Sequence, residues 1–61
     1  MGLYDMKAFY SFLDSASDEE LEERRRKLLA FLEIAVEEKS ISDARYYLHM
    51  VESEILSRIN L

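Results

Sequence analysis

Apolar residues recur at intervals of three and four along most of this chain. At about 100° per residue, Leu21, Leu28, Leu32 and Ala35 fall on one line of a helix. Leu29 and Val36 flank that line on one side and Phe31 on the other, while Ile34 lies outside the arc, among Lys27, Glu23 and Glu38. One neighbouring helix covers a stripe of little more than 100°. This arc is wider, so it touches more than one neighbour. A second seam runs through Ile41, Ala44, Leu48, Val51, Ile55 and Ile59, with Tyr47 at its edge, and a further row through Tyr46, Met50, Ser53 and Ser57. No useful stretch alternates apolar and polar positions, so strands are not expected.

Local signals divide the pattern into three helices. Ser17 followed by Glu20 is an S-x-x-E capping box, and Asp18, Glu19 and Glu20 put negative charge at the positive end of the helix dipole. The spacing predicts a long helix over 18–39, with Lys39 at its far end. Ser40-Ile41-Ser42 reads as the break, with Ser42 as the next cap and Ile41 and Tyr46 as its hydrophobic staple, Ser40 with Asp43 being a competing cap two residues earlier, giving a second long helix over 42–60. A link that short sets the two antiparallel. Leu3, Met6, Phe9 or Tyr10, and Leu13 predict a short amphipathic helix over 3–14. That piece is too short to hold its shape alone, so its aromatics must pack on the long helices or on a second molecule.

The expected fold is therefore all-α. It is a single small domain over 1–61, an antiparallel helical hairpin with a short N-terminal amphipathic helix, assembling into a dimeric helix bundle. The layout resembles the short helical-hairpin dimers that form four-helix bundles, such as small plasmid copy-control proteins. The resemblance is one of topology, with no shared motif that would carry a functional residue across.

Length sharpens the expectation of a partner. A chain of 61 residues buries little surface by itself, and without cysteine it has no disulfide or thiolate metal site to compensate. Association with another chain is the remaining device, most simply a homodimer that also meets a protein partner. The residues left over after the seams are assigned, Leu29, Phe31, Ile34, Val36, Tyr46 and Met50, are the expected interface. Missing cysteines, the absence of a basic-then-apolar leader at 1–7 and the lack of a membrane-length apolar run point to a cytoplasmic protein with no membrane role.

Charge narrows the chemistry. Thirteen acids against 8 bases give a net charge of -5, which disfavours binding to phosphate backbones. The run Arg24-Arg25-Arg26-Lys27 wraps around a helix rather than forming one patch. Arg26 and Lys27 follow Glu22 and Glu23 by four residues and suit ion pairs along the helix. Arg24 and Arg25 continue the apolar arc and are the polar contacts worth testing. The alternative function is thus a nucleic-acid-binding regulator using Arg24, Arg25 and Lys27. A third reading reverses the sign, with Glu19, Glu23, Glu33 and Glu37 imitating a phosphate row to block a basic partner.

No catalytic, cofactor-binding or metal site is expected. His49 is the only histidine, and with Glu52 it offers two ligands at most. Paired glutamates on a solvated helix face do no acid–base work without a cleft, and a bundle this small has little room for one.

Overall fold

The computed structural model describes residues 6–59, which form three helices and no strand: α1 (Met6–Ser15), α2 (Asp18–Ile34) and α3 (Glu38–Ile59). Leu3 and Asn60, which the sequence pattern included in the first and last helices, lie outside the described residues.

The capping box starts α2 as expected. The Ser17 backbone N–H donates to Glu20 Oε1 at 2.8 Å, and the Glu20 N–H donates back to Ser17 Oγ at 3.1 Å. Ala16 and the N-cap Ser17 separate α1 from α2.

The second break is not where Ser40-Ile41-Ser42 placed it. α2 ends at Ile34, five residues short of Lys39, and α3 begins at Glu38, four residues before Ser42. Ala35 turns extended, with φ -71° and ψ 140°, while its N–H still reaches Phe31 O at 2.9 Å. Electrostatics explains the shift. A helix continued to Lys39 would carry Glu33, Glu37 and Glu38 in its last turns, at the negative end of the dipole. Stopping at Ile34 puts Glu37 and Glu38 at the positive end of α3 instead. The β-branched Ile34 and Val36 also favour an extended backbone there. The Glu37 carbonyl accepts the Ile41 N–H at 3.0 Å, and its carboxylate accepts the Ser40 hydroxyl at 2.8 Å. Lys39 then pairs with Asp43 inside α3. Ser42 caps nothing, and Ile41 and Tyr46 lie within one helix rather than stapling its start.

Helices α2 and α3 pack along each other. Asp18 meets Arg58, Arg25 meets Glu52, and Leu28 and Phe31 line one cleft with Ala44 and Tyr47. The core is small. Leu13, Ala16, Leu21 and Val51 form one buried cluster, with Phe9, Phe12, Leu28, Met50 and Ile55 packed around it, and Ala44 is also buried. Leu21 and Val51 are sealed completely. The period-based seam located Leu21, Ala44 and Val51 correctly but not Ile59, which is 68% exposed at the end of α3.

Candidate interaction surface

α1 covers one side of the α2/α3 pair, and it does so within the same chain. Phe9 packs edge-on against Tyr47 with ring centroids 4.6 Å apart. The Tyr47 hydroxyl donates to Met6 Sδ at 3.3 Å, and the Tyr10 and Tyr46 hydroxyls share a hydrogen bond of 3.2 Å. Phe12 lies under Arg24, whose guanidinium carbon is 4.2 Å from the ring centroid, a cation–π distance. At the far end Arg58 fastens all three helices. Its Nη2 donates to Leu13 O at 3.0 Å, its Nη1 to Asp18 Oδ1 at 2.9 Å, and its Nε to Glu54 Oε2 at 3.1 Å. The bonds to Asp18 and then Glu54 push the guanidinium pKa further up. Arg58 is missed by periodicity. Its one local signal is Glu54 a turn earlier, and its other partners lie 40 and 45 residues away.

The six residues expected at an interface are therefore divided. Met50 packs against the core, and Tyr46, 45% exposed, is tied to Tyr10. The row on α3 that could have received either α1 or a second molecule receives α1. Phe31 flanks a cleft with Leu28, Ala44 and Tyr47 on the same side as α1, and Ile34, one turn beyond Ala30 and two beyond Lys27, stands 78% exposed. Val36 is 90% exposed in the connector. Leu29, 38% exposed, belongs to the opposite face.

That opposite face is open. Arg25 and Glu52 cross it with an ion pair of 3.2 Å, and Glu22, Ile55 and Leu56 complete a groove of about 410 Å³ there. Leu29 stands one turn beyond Arg25, and Leu56 one turn beyond Glu52; Leu56 is 58% exposed. Helix phase adds Glu33, Arg45, His49 and Ile59 to the same side. Sequence reasoning passed over Leu56 because it lies off the Leu48–Val51–Ile55 line.

The basic run is engaged within the chain. Besides Arg24 on Phe12, Arg25 pairs with Glu52 and lies 3.9 Å from Glu22. Arg26 and Lys27 both reach Glu23, at 3.6 and 3.8 Å. The acidic row loses a member, because Glu37 precedes α3 rather than extending α2. Among the described residues no three His, Cys, Asp or Glu side chains gather as metal ligands, and no helix is long and apolar enough to cross a membrane.

Compared with models of protein families, with curated proteins and with solved structures, the chain matches none.

Proposed function

We propose that this chain is a small helical interaction protein of the cytoplasm, in which α2 and α3 form an antiparallel hairpin and two copies associate as a helix bundle to engage a protein partner. One observation carries the reading. Among the described residues eight large apolar side chains are 38–90% exposed, while five apolar residues are buried. A soluble single chain does not gain from so lopsided a distribution, whereas an associating one does. The proposed role is non-enzymatic and uses no cofactor. The nucleic-acid alternative draws less support, since Arg24, Arg25 and Lys27 would each have to give up a partner within the chain to meet phosphate.

Sedimentation equilibrium from low to high micromolar concentration tests the association. The expected mass is that of two chains. A single-chain mass at high micromolar concentration overturns the reading.

A further inference from the structure

The open face can be assigned an occupant. We propose that it seats a second copy of this chain, turned about a two-fold axis parallel to the helices, so that α2 of each copy lies over α3 of the other. The proposal rests on the dimer reading above and deepens it by naming the face and the pairing.

Charge register favours this occupant. The cross-helix pairs Asp18–Arg58 and Arg25–Glu52 show which residues share a level. A rotation about an axis along the helices keeps levels and exchanges α2 with α3. Arg25 of the second copy then comes over Glu52, and the two Arg25–Glu52 pairs form a ring of alternating charge. By the same register Glu33 lies level with Asp43 and Ala44, within one or two residues of Arg45, roughly 3 Å along the axis. Both Glu33 and Arg45 are exposed, and among the described residues neither has an ion-pair partner. Neither has an oppositely charged residue one turn away on its own helix. Each would find its opposite on the other copy, twice per dimer. Leu29 comes over the half-buried Leu48, and Leu56 comes level with Glu20 and Leu21, one or two residues from Glu22.

Area is sufficient as well. α2 is 17 residues long, about 25 Å, and two adjacent helices span about 20 Å, so each copy offers a footprint of roughly 500 Å². Two such faces bury about 1,000 Å², the lower bound for a specific association. α1 leaves this face clear along most of its length, because its contacts to Tyr46, Tyr47 and Arg24 lie on the other side of the pair.

The test combines two kinds of variant, each read by sedimentation equilibrium with circular dichroism to follow folding. Leu29→Glu/Leu56→Glu is expected to give a folded monomer throughout the micromolar range, since both side chains are exposed in the single chain. Glu33→Arg alone is expected to weaken dimerisation roughly tenfold through two like-charge contacts, and Glu33→Arg/Arg45→Glu to restore it to within about threefold. The charge swap reads the same face without touching an apolar residue. A dimer that survives both leucine changes and ignores the charge swap, while Ile34→Glu dissociates it, overturns this assignment and leaves the dimer reading standing. A wild-type chain that stays monomeric overturns both.

Discussion

The hydroxyl pair of Tyr10 and Tyr46 shows how one side-chain contact ties stability to pH. The pKa of Tyr46 is raised above its ordinary value of about 10, first by the hydrogen bond to Tyr10 and then by the charge that Tyr10 would carry. A raised folded-state pKa means that the neutral phenol is the form the fold prefers. The contact is therefore fully present below pH 10 and is lost as pH rises through the folded value. Thermal melts of the wild type should lose stability above about pH 10. Tyr46→Phe should melt slightly lower at neutral pH and show a smaller part of that alkaline loss. An identical alkaline profile in the two proteins would mean that this hydroxyl pair contributes nothing.

At the scale of elements, the break between α2 and α3 separates what was legible in the chain from what was not. The Ser17–Glu20 box is local, with both partners three residues apart, and it could be read directly. The seam through Leu21, Ala44 and Val51 was legible because burial follows helix phase. The end of α2 was not. Ser40 and Ser42 are good caps taken singly, but the competing factor is where Glu33, Glu37 and Glu38 fall relative to two helix dipoles. That depends on the break itself. Proline scanning separates the two positions. Ala35 is already extended, the backbone a residue before proline prefers, so Val36→Pro should leave helix content and melting temperature nearly unchanged. Ser42→Pro falls inside α3, removes a helical hydrogen bond and should cost about 3 kcal/mol. Equal tolerance at both positions would contradict the boundary at Glu38.

For the whole molecule the question is which apolar surface is spent inside the chain and which remains. Tyr46 and Met50 were legible as apolar and off the main seam. That they serve α1 within the chain was not, because the distance between α1 and α3 is bridged only once α2 has folded back. The same folding leaves Leu29 and Leu56 together on the face away from α1, although 27 positions separate them and neither stands out in its own helix. A chain stabilised by its own second copy also has a melting temperature that depends on concentration. Melts followed by circular dichroism should shift upward as the wild type is concentrated and stay fixed for Leu29→Glu/Leu56→Glu. A wild-type midpoint independent of concentration would count against association.

The Arg58 clasp has a consequence for the order in which the fold assembles. Two of its partners, Leu13 and Asp18, lie 45 and 40 residues back along the chain. Neither can be held until α3 has closed over that whole intervening length, and closing it costs chain entropy in advance of any return. The capping box of α2, by contrast, closes over three residues and needs nothing else in place. The clasp is thus a contact of the finished molecule, absent while the helices are still finding each other. Its effect falls on how slowly the native state opens, and hardly at all on how fast it forms.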